Sequence, residues 1–205
     1  MTSAVVIGNG ESRNILNLES LKIKNILIGC NAIHRDIVVD HLVCCDRRMV
    51  DEAIENPMTD NIDIYVREDW FKYYRKIQKR KNMVLVPDIP FTSDNRPDQP
   101  KHWGSGSYAV LVAATKGFNE ISLIGFDLYS KNQKVNNIYK NTNNYSNSDS
   151  QTVDPSYWIY QLSRIFKHYP DTSFIIYNEA GWPMPTEWQQ KNVRFENILQ
   201  LVVDL

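Results

Sequence analysis

Polar residues that could bind a ligand follow the apolar segments of this chain one after another. They are Asn9, Gly10 and Ser12 after the first segment, Asn31 after the second, Asp46 after the third, and Asp127 and Tyr129 after a later one. An asparagine amide offers a donor and an acceptor to a nucleobase or a sugar, and a tyrosine hydroxyl suits a phosphate. The residue types therefore indicate a site for a polar ligand with a base, a sugar or a phosphate.

A second source of ligand contacts is the turn Gly104-Ser105-Gly106-Ser107, which opens an apolar helix. The first N–H groups of a helix have no partner within it and lie at the positive end of the helix dipole, so they can bind a phosphate. We assign these free groups to Ser107, Tyr108 and Ala109. An ordinary helix cap is the alternative, because glycine and serine are common at helix starts.

The elements that must position these residues indicate an α/β fold. Residues 4–8, 26–29, 42–45 and 121–124 are short apolar runs, and each ends in polar residues. Carboxyl ends of parallel strands meet at one edge of a doubly wound sheet, where ligands bind. We predict one Rossmann-like domain over residues 1–205, with a mostly parallel sheet and helices on both faces.

Other segments connect or follow these elements. We predict a helix over residues 68–80, an irregular proline-rich loop over residues 87–100, and a strand over residues 173–177 followed by a short apolar tail. Residues 131–150 contain seven asparagines and few apolar side chains. We predict that this segment is mobile, either a lid over the ligand site or a disordered surface loop.

Composition excludes some classes of partner. A net charge of -1 and a pI of about 6.4 give no overall attraction to nucleic acid or anionic membranes. The three cysteines, Cys30, Cys44 and Cys45, lie in or beside apolar runs and do not form a disulfide framework, which favours the cytoplasm. Their spacing with His34 and His41 is unsuited to zinc. No signal peptide and no membrane span are expected.

Three motifs together resemble the small bacterial sialyltransferases of glycosyltransferase family 42. They are VVIGNGESRN at the amino terminus, IGCNAI at the second predicted strand and GSGSYAVLVAATKGFNEISLIGFDLYS at residues 104–130. In that family the first turn is GNGPS, the second strand ends in RCN, and the later block is TSGVY, an alanine-rich helix and GIDFY. The likeness covers residues 4 to about 46 and 103–130, in the same order and spacing.

The resemblance implies a Rossmann-like transferase that uses a CMP-activated sugar and needs no metal and no cofactor. It implies that Asn9, Gly10 and Ser12 line the phosphate and ribose and that Asn31 faces the nucleotide and donor sugar. Tyr129 is expected to donate a hydrogen bond to the departing phosphate. The other expected site residues are Ser105 and Gly106, on the cytidine or carboxylate side, His102, at the position of a basic residue of the family, and Asp46, Gly104 and Asp127.

The sequence departs from the family at the general base. The family has a histidine between the lid and the following helix, and no histidine lies between residues 103 and 167. Asp149 or Asp154 occupies that region, and a carboxylate of suitable pKa can accept a proton from an acceptor hydroxyl. Glu11, where the family has proline, adds negative charge beside the expected phosphate.

Two other functions are compatible with the sequence. A pterin pyrophosphokinase-like diphosphotransferase has a similar first turn but needs carboxylates for Mg²⁺, and Asp46 with Asp127 is the available pair. A non-catalytic nucleotide-binding or interaction module would explain the missing histidine. For a transferase, the acceptor is expected to be a glycan or a modified base in nucleic acid, and a homo-oligomer is compatible with the sequence.

Overall fold

Among the residues that the structure describes, eight strands form one parallel sheet in the order β5-β4-β3-β2-β1-β6-β7-β8. The structure is a computed structural model that describes residues 3–77, 82–90, 102–130 and 132–203. The strands are β1 (Ser3–Ile7), β2 (Ile26–Cys30), β3 (His41–Cys44), β4 (Asp63–Val66), β5 (Met83–Leu85), β6 (Glu120–Ile124), β7 (Ser173–Asn178) and β8 (Val193–Asn197). The helices are α1 (Leu18–Lys22), α2 (Arg47–Glu55), α3 (Glu68–Ile77), α4 (Ser105–Thr115), α5 (Ser156–His168) and α6 (Ile198–Val203).

The apolar runs of the sequence form the central strands because a parallel sheet is covered on both faces. Val6 and Ile7 of β1 are fully buried although their side chains lie on opposite faces of the strand. On one face, Val6 belongs to a cluster with α4 and α5. On the other, Ile7 belongs to a cluster with residues of α1, α2 and α3. The prediction of an α/β fold with a mostly parallel sheet and helices on both faces is confirmed.

Helix α4 lies between the sheet and α5. Nine of its eleven residues are buried, from Ser105 to Ala114 with the exception of Gly106. A helix that is apolar on all sides must be covered on all sides. This position fixes the amino end of α4 firmly against the carboxyl ends of the central strands.

The strand order places a switch point between β1 and β6. From β1 the chain proceeds through β2, β3, β4 and β5 to one edge, and β6 then returns to the other side of β1. In open α/β sheets, ligands bind outside the carboxyl ends of the strands at such a point. The turns after β1 and β6 are therefore the expected walls of a site.

The predicted elements need correction at the carboxyl-terminal end of the chain. The tail after β7 contains strand β8, of sequence VRFEN, and helix α6. We missed β8 because it is a half-exposed edge strand with two charged residues and no continuous apolar run. The predicted helix over residues 68–80 is described up to Ile77, and most of the predicted loop over residues 87–100 lies outside the described residues.

Residues 132–151 lie against the domain through hydrogen bonds and two aromatic side chains. Val135 N–H donates to Ser150 O (3.0 Å), Ile138 N–H donates to Asn9 O (2.9 Å), and Tyr139 is 4% exposed. The expectation that this segment has too little apolar surface to bury is wrong, because Tyr139 joins the core and Tyr145 packs beside it. Its movement as a lid stays a prediction.

No helix in the described ranges has the length and apolar character needed to cross a bilayer. The longest, α5, has 13 residues. A span through a bilayer needs about 20.

Candidate functional site

A cleft of about 390 Å³ opens at the switch point of the sheet. Its walls are the turns after β1, β2 and β6, the amino end of α4, and parts of residues 135–153. The lining residues used below are Asn9, Asn31, Ser105, Ser107, Asp127 and Tyr145. We call this space the switch-point cleft.

The first turn of the cleft is held in place by β6. Gly8 N–H donates to Ile124 O (2.8 Å) and Gly10 N–H donates to Gly125 O (2.9 Å). A Cβ atom on Gly10 would collide with the carboxyl group of Asp127. Gly10 therefore has a steric role, which lets the turn approach β6 closely.

Ser12 and Asp127, both predicted to contact the donor, bind each other. Ser12 N–H donates to Asp127 Oδ2 (2.9 Å), and the Ser12 hydroxyl donates to Asp127 Oδ1. Burial raises the pKa of Asp127 above its usual value, although the bonds from Ser12 act in the opposite direction. The pair fixes the turn, and Asp127 also lines the cleft.

Three buried polar atoms of the cleft have no hydrogen-bond partner among the described residues. They are Asn9 Oδ1, Asn31 Oδ1 and Ser107 Oγ. A buried polar atom left without a partner costs about 1–3 kcal/mol. Because the residues that bear all three atoms line the same cleft, these atoms are candidates for contact with a polar ligand.

The Asn31 backbone has an unusual conformation. Its φ angle is 53°, in the left-handed region that asparagine tolerates better than most residues. The residue begins a short 3-10 helix directly after β2, and its carbonyl accepts a hydrogen bond from His34 Nδ1 (2.9 Å). The chain thus accepts a costly conformation at a position where the amide lines the cleft.

Helix α4 begins at Ser105, two residues before Ser107, the first of the three residues to which we assigned its free N–H groups. Gly104 is the N-cap, and Tyr108 N–H donates to Gly104 O (3.0 Å). The N–H groups without an acceptor inside the helix are those of Ser105, Gly106 and Ser107. The assignment to Tyr108 and Ala109 is therefore wrong, and the corrected groups all belong to residues that line the cleft.

The Ser105 side chain connects α4 to β3. Its hydroxyl accepts a hydrogen bond from Cys45 N–H (2.9 Å). With that bond made, Ser105 contributes its backbone N–H to the cleft, while the hydroxyl fixes the amino end of the helix. Gly104 and Gly106 also line the cleft.

Tyr145 was missed by the sequence reasoning. Its hydroxyl accepts hydrogen bonds from Asn9 Nδ2 (3.2 Å) and Ala32 N–H (3.4 Å), which leaves its own proton available to a ligand. Burial raises the pKa of Tyr145, so the hydroxyl keeps that proton near neutral pH. A large aromatic residue in a segment with few other apolar side chains suggests a buried contact, but the sequence alone could not show where that segment lies.

Arg13 was also missed, and it is 3% exposed. Its Nε donates to Gly8 O (2.9 Å), and its Nη2 donates to Asp36 Oδ2 (2.9 Å) and to the Tyr139 hydroxyl (2.9 Å). The Tyr139 hydroxyl in turn donates to Asp36 Oδ2 (2.6 Å). This buried network joins the first turn to residues 132–151 and so fixes two walls of the cleft.

Several predicted site residues lie elsewhere. Tyr129 and Asp149 line a second cavity that adjoins the cleft, and the Asp149 side chain is 94% exposed. Asp46 caps α2 and pairs with Arg48 (2.9 Å). The predicted site residues that do not line the cleft are Ser12, Asp46, His102, Tyr129, Asp149 and Asp154, and Ser12 lines the second cavity.

Within the described ranges, no group of three or more histidine, cysteine or acidic residues could hold a metal ion. Cys30 lies at the base of the cleft, and burial raises the pKa of its thiol to about 12. It is therefore a neutral, weakly polar group at neutral pH, without the thiolate character of a nucleophile.

The fold is similar to that of known sialyltransferase structures. An α-2,3/8-sialyltransferase CstII variant aligns with a TM-score of 0.55 and 17% identity, covering 85% of this chain and 81% of that one. A CstII variant in complex with CMP gives a TM-score of 0.58 and 16% identity, covering 84% of this chain and 81% of that one. CstII from Campylobacter jejuni with the substrate analogue cytidine-5'-monophosphate gives a TM-score of 0.52 and 16% identity, covering 97% of this chain and 87% of that one.

No family model and no curated protein matches the chain. At 16–17% identity, the structural likeness concerns the fold. The sequence resemblance to the family 42 sialyltransferases is therefore matched by a likeness of fold over more than four-fifths of the chain.

Proposed function

We propose that this protein is a glycosyltransferase that binds a nucleotide-activated sugar, of the CMP-sugar type, in the switch-point cleft. The observation that supports it most is that Asn9, Asn31 and Ser107 line one cleft, each with a buried side-chain oxygen that makes no hydrogen bond to the part of the chain that the structure describes. Fold-level likeness to sialyltransferases that bind CMP agrees with this choice.

The chemistry of the cleft suits both halves of such a donor. The first N–H groups of α4 and the end of its dipole suit a phosphate or a sugar carboxylate. The asparagine amides suit the hydroxyls and base edge of a nucleoside. The volume of about 390 Å³ lies within the usual range for small-molecule sites.

In the proposed reaction, an acceptor hydroxyl attacks the anomeric carbon of the donor. The new bond joins the acceptor oxygen to that carbon, and the bond from the carbon to the phosphate oxygen breaks with inversion. The electron pair leaves on the phosphate, which the N–H groups at the amino end of α4 stabilise. The acceptor proton goes to Asp149, Asp154 or water, and the reaction uses neither a metal nor a cofactor.

The geometry supports this function over a diphosphotransferase. A magnesium-dependent transfer needs two carboxylates at one site. Asp46 is paired with Arg48 at the start of α2 and does not line the cleft with Asp127. The non-catalytic module stays as the second candidate, because the exposed Asp149 and Asp154 are weak substitutes for a buried base.

Thermal unfolding in the presence of CMP, CDP, UDP, GDP or ATP, with and without Mg²⁺, tests the proposal. We expect CMP without metal to stabilise the fold by about 2.7 kcal/mol at a hundredfold excess over its Kd. Stabilisation by ATP only with Mg²⁺ would support the diphosphotransferase instead. CMP binding without release of CMP from CMP-sugars would support the module.

Substitution of Asn31→Gly removes the amide while glycine keeps the left-handed backbone. We expect CMP affinity to fall about tenfold, the effect of one lost hydrogen bond of about 1.4 kcal/mol. The matched control is Gln133→Gly, an exposed position with φ of 59°. Equal CMP affinity in the two variants would contradict the placement of Asn31 in the donor site.

A further inference from the structure

A second cavity of about 810 Å³ adjoins the switch-point cleft. It lies above the carboxyl ends of β6 and β7, between the loop after β7 and residues 132–149. We call it the Trp182 cavity, and the residues that define it here are Glu11, Tyr129, Lys134, Lys140, Asn178 and Trp182. The two spaces share Asp127, Val135 and Asn136 as a common wall.

An aromatic surface forms one side of the Trp182 cavity. The rings of Tyr129 and Trp182 lie 6.2 Å apart, centroid to centroid, at an angle of 40°. Trp182 is fixed in place, because its Nε1 donates to Asp127 O (2.7 Å) and its ring stacks on Phe195. A rigid, half-buried indole face suits a ligand with an apolar face.

Asn178 contributes an unused hydrogen-bond donor to the same cavity. The residue is 3% exposed, and its Oδ1 accepts a hydrogen bond from Glu179 N–H (2.8 Å). Its Nδ2 has no partner among the described residues. Because a buried amide without a partner is costly, this atom is suited to donate to a ligand oxygen in the cavity.

The charges of the Trp182 cavity disfavour a phosphate. Both lysines are next to carboxylates, Lys140 at 2.5 Å from Glu11 and Lys134 at 3.9 Å from Asp149. Asp127 and Glu179 add two further carboxyl groups to the lining. A neutral ligand with many hydroxyl groups fits this balance better than a nucleotide does.

We propose that the Trp182 cavity binds the acceptor as a neutral sugar ring. The C–H face of the ring packs on Trp182, and a hydroxyl accepts a hydrogen bond from Asn178 Nδ2. This inference rests on the proposed transferase function, since a donor in the switch-point cleft gives the acceptor its role. Because Asp127, Val135 and Asn136 line both spaces, an acceptor in this cavity would lie next to a donor in the switch-point cleft, as direct transfer requires.

Two binding measurements on the full chain test this proposal. Methyl β-galactopyranoside and methyl β-glucopyranoside are the sugar probes, followed by saturation-transfer NMR, and CMP affinity is measured by calorimetry. The test variant is Asn178→Asp, which keeps the acceptor oxygen for Glu179 N–H and removes the free donor. Trp182→Phe is the second variant, because it keeps a smaller aromatic face without adding a charge, while removing the Nε1 donor to Asp127 O.

We expect at least one glycoside to bind the wild type, Asn178→Asp to weaken that binding about tenfold, and both variants to keep CMP affinity within twofold. No glycoside binding to a protein that binds CMP would overturn the acceptor site and leave the donor site standing. Weaker CMP binding in Asn178→Asp would also overturn it, by placing the nucleotide in this cavity. A wild type that binds neither probe would refute both proposals.

Discussion

At the scale of single residues, the site depends on buried polar atoms that make no hydrogen bond to any of the residues that the structure describes. Asn9, Asn31 and Ser107 each present one such atom, whereas Ser12 and Asp127 satisfy each other. The distinction separates residues that contact a ligand from residues that shape the turn. We therefore expect the side-chain amides of Asn9 and Asn31 and the amino end of α4 to determine which ligand the cleft binds.

Tyr145 is the residue whose role at the cleft is most easily isolated. Its hydroxyl bonds with Asn9 Nδ2 and Ala32 N–H, and its proton is available to a donor phosphate or sugar. We predict that Tyr145→Phe weakens CMP-sugar binding about tenfold and lowers the free energy of unfolding by about 1 kcal/mol. Calorimetry and urea denaturation measure the two effects.

The control for this variant is Tyr73→Phe, since Tyr73 is 41% exposed and lies on α3, away from the cleft. Unchanged donor affinity in Tyr145→Phe would remove Tyr145 from the site. A loss of affinity together with a loss of more than about 3 kcal/mol of stability would instead indicate a structural role.

At the scale of elements, residues 132–151 decide the shape of the cleft. Arg13 and Asp36 fix Tyr139, and Arg35 donates to Thr142 Oγ1 (2.7 Å) while pairing with Glu52. These contacts come from the first turn, the 3-10 helix after β2, and α2. Residues 132–151 are therefore joined to α2 and to the turns after β1 and β2, and these two turns are walls of the cleft.

Loss of the Tyr139 hydroxyl tests this connection. In Tyr139→Phe, buried Arg13 loses an acceptor and Asp36 loses a donor, so we expect the free energy of unfolding to fall by about 1–3 kcal/mol. Urea denaturation of Tyr139→Phe and of the control variant Tyr73→Phe measures the two free energies of unfolding for comparison. If the two variants are equally stable, residues 132–151 add no stability and the disordered-loop alternative gains support.

Sequence patterns predicted the central elements well and the connections poorly. Runs such as AVVIG and ILIG are continuous and apolar because their strands are covered on both faces, so they could be recognised directly. Strand β8 could not, because an edge strand with exposed charges has no such pattern. The place of residues 132–151 depends on Arg13 and Asp36, which are distant in sequence.

The candidate site was predicted in part for the same reason. Asn9 and Asn31 follow apolar runs, the Ser105 turn precedes one, and the fold brings all three to one cleft. Tyr129 follows β6 as well, but the chain turns beyond Asp127, and Tyr129 lines the adjoining cavity. Only the path of the backbone after each strand decides which polar residues share a space.

At the scale of the whole molecule, two buried clusters lie on opposite faces of one sheet, and their stability depends on pH through buried histidines. His34 is 1% exposed and lies 3.2 Å from Glu52. Burial lowers its pKa below the usual value, and burial also lowers the pKa of His41. The unfolded chain therefore binds protons below about pH 6.5 that the folded protein does not.

We predict that the free energy of unfolding falls as the pH is lowered from 7.5 to 5.5. The sign follows because proton uptake by the unfolded state favours unfolding. In His34→Gln this decrease should be smaller than in the wild type, because the lowered pKa of His34 no longer contributes to it. Urea titrations at several pH values give the slopes, and an unchanged slope in His34→Gln would contradict the assignment.

A crystal structure of the protein soaked with CMP tests the central claim most directly. We predict CMP density in the switch-point cleft, with ligand atoms within hydrogen-bond distance of Asn31 Oδ1 and Ser107 Oγ and the phosphate near the first turn of α4. Density for CMP confined to the Trp182 cavity, or a switch-point cleft that stays empty at saturating CMP, would contradict the account.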